Sequence, residues 1–280
     1  MNQVTIRVPA TTSNLGPGYD ALGVALQIEN RVTTRRASSS VENPMSEAVA
    51  DRFFAQSECA PFHFGWEIDG DVPRSRGLGS SVTVRLGILH GLNELAGRPL
   101  AAQQLFGIAA DLEGHPDNAA PAAFGGFTVA GGVEVARFEV ASELRFVLLI
   151  PDFEVSTPAA REVLPAQIDR LGAARSCANA CRITAAFASG NLNLLRGAFE
   201  DHLHQPYREK ALIPFLGGVI RAGENAGALG GFLSGSGSTI CCVALGNTEA
   251  IAEAMRAACG NSGARTVIAS ADNTGVRVVE

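Results

Sequence analysis

Arg76-Gly77-Leu78-Gly79-Ser80-Ser81, followed at once by a helix-patterned run, is the stretch on which the reading of this chain turns. Two glycines let a backbone turn tightly and approach a ligand closely. Two serine hydroxyls follow where a helix would begin, and the free N–H groups and dipole of a helix N-terminus favour negative charge. Val82, Leu86, Leu89, Leu92 and Leu95 then recur at helical spacing over residues 82–96. A glycine-rich turn opening a helix is a phosphate cradle on physical grounds. It is also an ordinary tight turn, and these residues alone weigh the two readings evenly.

The rest of the chain narrows the choice. Lys210 is the only lysine among 22 basic residues. A P-loop needs a lysine after its second glycine, and a protein-kinase lobe needs one on its third strand; neither is here. A nucleoside triphosphate on this loop would rest on backbone amides, serines and a metal.

The 280 residues, 46% hydrophobic, suffice for one large domain or two moderate ones. A net charge of −6 supplies no basic surplus for nucleic acid. The first residues carry no basic region followed by a long apolar run, so no secretion signal is expected. The most apolar stretch, 226–245, is broken by glycines and serines and makes a poor membrane span. The six cysteines, Cys59, Cys177, Cys181, Cys241, Cys242 and Cys259, form no C-x-x-C pair and are expected as buried, reduced thiols. The cytoplasm is the expected compartment.

Strands are predicted at 4–9, 25–35 and 62–68, with a polar turn region at 10–18 and a helix at 47–56. Beyond the glycine loop, helices are predicted at 82–96 and 99–113, and a hairpin at 127–130 and 133–140. A continuous apolar strand at 144–151 opens a second unit. Helices follow near 158–171, 176–189, 191–201 and 217–228. Strands at 239–245, 265–269 and 276–279, with a helix at 248–259, close the chain. Strands interleaved with helices in both halves indicate an α+β protein, divided into residues 1–144 and 145–280.

Five polar constellations stand out. In residues 9–23, Gly16-x-Gly18-x-x-Ala21 follows a strand, as a dinucleotide fingerprint would. But Pro17 removes an amide, and Thr-Thr-Arg-Arg at 33–36 offers no ribose-binding acid. Asn14 and Asp20 are also ordinary turn residues. In Glu113-Gly114-His115-Pro116-Asp117-Asn118, an acid ends a helix against the dipole, a cost easier to understand if it faces Mg²⁺; a solvated turn weighs the same. Residues 156–161 carry Thr157 and Arg161, and 204–208 carry Arg208, each arginine near a helix start. Residues 230–239 hold Ser236 and Gly237 in a second glycine-rich loop. His202 and His204, two apart, would face different ways on a helix and are not read as ligands.

In order and spacing, the segments 9–23, 76–81 and 231–239 resemble the three motifs of the GHMP small-molecule kinases. Pro73-Arg74-Ser75-Arg76-Gly77-Leu78-Gly79-Ser80-Ser81 matches that family's P-x-x-x-G-L-G-S-S nucleotide loop in full. The resemblance runs over essentially the whole chain. Asn14-Leu15-Gly16-Pro17-Gly18-Tyr19-Asp20, His115-Pro116-Asp117-Asn118, Ser156-Thr157-x-x-x-Arg161 and Pro206-Tyr207-Arg208 are similar to its homoserine-phosphorylating branch.

The resemblance implies a ribosomal-protein-S5-domain-2-like N-terminal domain and a ferredoxin-like C-terminal domain. It implies ATP on Arg76, Gly77, Leu78, Gly79, Ser80, Ser81, Ser236 and Gly237, and Mg²⁺ on Ser81 and Glu113. L-homoserine would be held by Asn14, Asp20, His115, Asn118, Thr157, Arg161 and Arg208, the arginines on its carboxylate. Asn14, Asp20, Ser81 and Glu113 would carry the catalysis. Val82-Thr83-Val84 departs from the small alanines usual in the family. Some members use an Asp–Lys pair; with Lys210 the only lysine, that pair is not expected here. A kinase for another small hydroxy metabolite and a non-catalytic sensor of the same fold are the alternatives. Nucleic acid and membrane are not expected partners, and a homodimer is compatible with the resemblance.

Overall fold

The first strand runs further than its apolar alternation. In a computed structural model, which describes residues 2–39, 43–260 and 263–279, β1 (Gln3–Ser13) continues through Ala10-Thr11-Thr12-Ser13. That segment was predicted as turn. Its hydroxyls are buried but satisfied, and its backbone pairs with β2 (Leu22–Arg36) past a register shift between Pro9 and Ala10. The turn begins only at Asn14, where Asn14 and Leu15 adopt positive φ.

β1 and β2 form the centre of a six-stranded antiparallel sheet, completed by β3 (Phe64–Gly70), β4 (Phe127–Gly131), β5 (Glu134–Phe138) and β10 (Arg277–Val278). Helices α1 (Pro44–Ser57), α2 (Ser80–Leu95), α3 (Ala102–Glu113) and α4 (Ala119–Phe124) pack on one face. Val82, Leu86, Leu89 and Leu92 of α2 meet Val4, Ile6 and Val8 of β1 there. The helical spacing read from the sequence is therefore the buried stripe.

The second sheet is antiparallel, in the order β7 (Gly230–Leu233), β8 (Ile240–Ala244), β6 (Arg145–Ile150), β9 (Arg265–Ala269). From Phe146 to Ile150, β6 is apolar because both its faces are covered. Phe146 and Leu148 join a core shared with Val24, Leu26 and Phe127 of the first sheet. Val147 and Leu149 pack with α8 (Leu216–Asn225) and α9 (Thr248–Cys259) through Leu216, Val219, Ile251 and Met255. Alternate residues of one strand thus serve two cores. Although β10 is last in the chain, it returns to pair with β1.

Three helix predictions are corrected. The helix expected at 158–171 is only α5 (Thr157–Glu162); Pro165 disfavours helical backbone before it. Asp169 instead caps the next helix, α6 (Arg170–Ser189), which starts six residues before position 176. The helix expected at 191–201 is one 3₁₀ turn, Leu192–Leu195, between Gly190 and Gly197, both at positive φ. α7 (Gln205–Ala211) follows, begun by Asp201, whose carboxylate accepts from the N–H groups of Leu203, His204 and Gln205. The cysteine expectation also needs correction. Cys241, Cys242 and Cys259 are buried, Cys59 is half-buried, and Cys177 and Cys181 lie exposed on α6; all six are free thiols.

Candidate active site

One cleft of about 420 Å³ collects residues from the 14–20 turn, the 76–81 loop, the starts of α2 and α5, the 113–118 turn, α7 and the 235–236 loop. Gly77 and Gly79 both have positive φ. A Cβ on Gly77 would lie 2.1 Å from the Ser234 carbonyl oxygen, and one on Gly79 would lie 2.1 Å from Thr11 Oγ1. The two glycine-rich loops are therefore packed backbone to backbone, with Ser234 Oγ donating to the Gly77 carbonyl at 2.7 Å. Gly79 precedes α2 without a side-chain cap. The first N–H groups of α2 accordingly lack intrahelical partners and open on the cleft beside Ser80 and Ser81. The unusual Val82-Thr83-Val84 fits: Val82 and Thr83 are buried, and Thr83 Oγ1 donates to the Ser80 carbonyl and accepts from Asn30.

Of the residues expected on the nucleotide, Arg76, Gly77, Gly79, Ser80 and Ser81 line the cleft. Leu78 is fully buried and anchors the loop by accepting the Thr11 N–H on its carbonyl; neither it nor Gly237 lines the cleft, whereas Ser236 does. The Arg76 guanidinium turns back to the carbonyls of Pro151 (3.0 Å) and Asp152 (2.8 Å) and to Glu154, tying the loop to the end of β6. Met45, Trp66, Ile68 and Val84 give the cleft its apolar lining, with Trp66 the only tryptophan. No local motif marks this lining; it is assembled from α1, β3 and α2.

Glu113 ends α3 and meets Ser81, whose Oγ donates to its Oε2 at 3.0 Å. Arg85, one turn after Ser81 on the same face of α2, pairs with the other carboxylate oxygen. A serine hydroxyl and a carboxylate converging beside an anion cradle are hard oxygen donors of the kind Mg²⁺ takes together with substrate phosphates. The residues fit that ion, and Arg85 accounts for how an acid is held at a helix C-terminus.

The third part of the cleft is charged. Asp20, at φ 56°, receives Arg161 Nη2 on its Oδ1 at 2.8 Å. Its N–H donates to Asn14 Oδ1, while Asn14 Nδ2 donates to the Gly235 carbonyl, so Asn14 holds the turn's shape. Arg208 is 2% exposed. Its Nε donates to the Ala160 carbonyl at 3.0 Å, and its Nη1 to the Gly235 carbonyl (2.9 Å) and His204 Nδ1 (3.1 Å). Burial lowers the Arg208 pKa from its usual value. His204, fully buried, has its other ring nitrogen on the Gly16 carbonyl at 2.8 Å, and burial pushes its pKa down to about 4. It is therefore neutral, donating to Gly16 and accepting from Arg208. Both guanidinium groups flank the Tyr19 ring, at 5.5 and 5.6 Å.

His115 Nδ1 lies 2.6 Å from Asp117 Oδ1, a contact that raises its pKa against the opposing effect of burial. Asn118 bridges Thr11 (2.7 Å) and Ser13 (2.9 Å), fastening the 113–118 turn to β1. Thr157 lines the cleft at the first position of α5. The structure thus brings together every expected substrate residue. It adds Tyr19, Arg85 and His204, whose contacts cross between elements remote in sequence. Lys210 is exposed and does not line the cleft.

This combination defines an α+β fold whose glycine-lined cleft joins a helix N-terminus to a cluster of charged side chains, and comparison with known proteins gives it a family. The GHMP kinases N terminal domain matches residues 44–126 and the GHMP kinases C terminal domain matches residues 183–261. The chain belongs to the GHMP kinase family. Homoserine kinases from Microchaete diplosiphon and Synechococcus sp. are 39% and 40% identical over 92% and 90% of it, and over 91% and 90% of their own lengths. The crystal structure of a homoserine kinase from Cytophaga hutchinsonii superposes with a TM-score of 0.91 at 25% identity, covering 100% of this chain and 98% of that one. The Methanococcus jannaschii mevalonate kinase, at 14% identity and TM-score 0.71 over 95% of this chain and 98% of its own, shares the fold.

Proposed function

We propose that this chain transfers the γ-phosphoryl group of ATP to the side-chain hydroxyl of L-homoserine, giving O-phospho-L-homoserine and ADP, a step of threonine biosynthesis. The observation that carries this is the charge pattern of the cleft. A backbone anion cradle, a serine–carboxylate pair and an oppositely charged set of Asp20 with Arg161 and Arg208 share one space. An α-amino acid bearing a hydroxyl matches the third element: its ammonium suits Asp20, and its carboxylate suits the guanidinium groups. The homoserine kinase relatives point the same way.

In this reading the loop 77–81 and the N-terminus of α2 hold the phosphates. Ser81 and Glu113 hold Mg²⁺, which supplies charge neutralisation when bound. The apolar lining of Met45, Trp66 and Ile68 takes the base. Phosphoryl transfer demands mainly positioning and charge stabilisation, and with no lysine in the cleft an Asp–Lys base pair has no candidate. Asn14, Asn118, Thr157 and His115 orient the acceptor; Arg76 braces the loop from the cleft's wall. The division after residue 144 belongs to this reading: the nucleotide residues precede it, save Ser236, and both arginines follow it. A cytoplasmic location accords with the role, and no helix among the described residues is long and apolar enough to cross a membrane. The test is product analysis: Mg-ATP and homoserine should yield phosphohomoserine and ADP in equal amounts by mass spectrometry. ADP formed without phosphohomoserine would overturn the assignment.

A further inference from the structure

Asp20 and Arg161, assigned above to the opposite charges of one substrate, are already bound to each other. Arg161 Nη2 sits 2.8 Å from Asp20 Oδ1, across 141 residues of sequence, both side chains lining the cleft. The contact is built from both sides. Asp20 is held in the left-handed region with its N–H on Asn14. Arg161 projects from α5 over the Tyr19 ring. Two carboxylates and an imidazole gather on one side of the pair: ligating atoms of Asp20, Asp117 and His115 lie within 4.8 Å of one another, with His115 bonded to Asp117.

We propose that this ion pair is a selector for zwitterions. Resting on the functional reading above, it makes recognition of the ammonium and the carboxylate interdependent. A ligand with both charges breaks the pair once and gives each partner a replacement. A ligand with only one charge must break the same pair, leaves the other partner uncompensated, and approaches a like charge. Singly charged metabolites of similar size are thereby rejected more strongly than loss of one contact requires.

The inference fixes a sign. Asp20→Asn tolerates the same left-handed backbone and frees Arg161. 4-Hydroxybutyrate, which is homoserine without its ammonium, should then bind about three- to tenfold tighter than to the wild type. Arg161→Met frees Asp20, so 3-aminopropan-1-ol, homoserine without its carboxylate, should tighten likewise. Homoserine itself should weaken in both. Dissociation constants are read by ligand-observed NMR with Mg²⁺ and a non-hydrolysable ATP analogue bound. The fluorescence of Trp66 on adding that analogue checks that each variant keeps its nucleotide site. If homoserine weakens but neither fragment tightens, the selector falls and the substrate assignment stands. If homoserine binding is unchanged in both variants, the assignment of these two residues falls, and the selector with it.

Discussion

Glu113 and Arg208 show how far single residues could be read. An acid at a helix end is legible as an anomaly, and its partner Ser81 was expected. Arg85 was not, because an arginine on a helical run reads as solvated until α3 is packed beside it. Glu113→Gln removes the charge and keeps the shape, so kcat should drop at least tenfold at saturating ATP. Wild-type turnover across a Mg²⁺ titration would take Glu113 out of the metal site. Two tasks are proposed for Arg208. Arg208→Met should raise the KM for homoserine about ten- to hundredfold, from loss of a charge-assisted bond of roughly 1.5–3 kcal/mol, with a smaller change in kcat. It also leaves the Ala160 and Gly235 carbonyls without this donor, so the melting temperature should fall by several degrees. An unchanged KM would deny it the carboxylate. Arg76, expected on the phosphates, lines the cleft, and its long side chain also reaches carbonyls that only the folded chain brings near.

Among elements, the loop 77–81 with α2 was readable because its determinants are local: glycines at positive φ, then a buried stripe at helical spacing. Gly79→Val places a β-branched side chain at φ 69° and against Thr11 Oγ1. ATP affinity should fall at least tenfold by calorimetry while the fold persists; full affinity would make the loop a turn and nothing more. The apolar lining was not legible, since Met45, Trp66 and Ile68 come from a helix and a strand that converge only through tertiary packing. Nor was the polar half of β1, whose Thr and Ser residues read as a turn but serve as a hydrogen-bonded seam with Asn118 and Ser234. Short elements failed for local reasons instead, at Pro165, Gly190 and Gly197.

Across the whole molecule, two sheets share a core, and β10 returns to the first sheet, so the halves are joined by packing as well as by the chain. Two histidines are shielded from water: His204, buried behind Arg208, and His90 in α2, half-buried with its Nε2 enclosed, each with its pKa lowered to about 4 by desolvation. Between roughly pH 6.5 and 4 the unfolded chain binds these protons and the folded one does not, so stability falls as pH falls, by at most about 1.4 kcal/mol per pH unit for each. His115, raised by Asp117, acts oppositely, its contribution being lost as pH rises through its folded value. Urea unfolding of wild type and His90→Phe at pH 7, 6 and 5 should give the variant the shallower acid loss; equal slopes would mean His90 is not held neutral. The catalytic reading is tested most directly by an acceptor series. With Mg-ATP saturating, kcat/KM is measured for L-homoserine, L-threonine, L-serine and mevalonate. Homoserine is expected to lead by at least about a hundredfold, because it alone combines the zwitterion with a primary hydroxyl at the right reach. Turnover of mevalonate at a comparable rate, or none with homoserine while ATP binds, would contradict it.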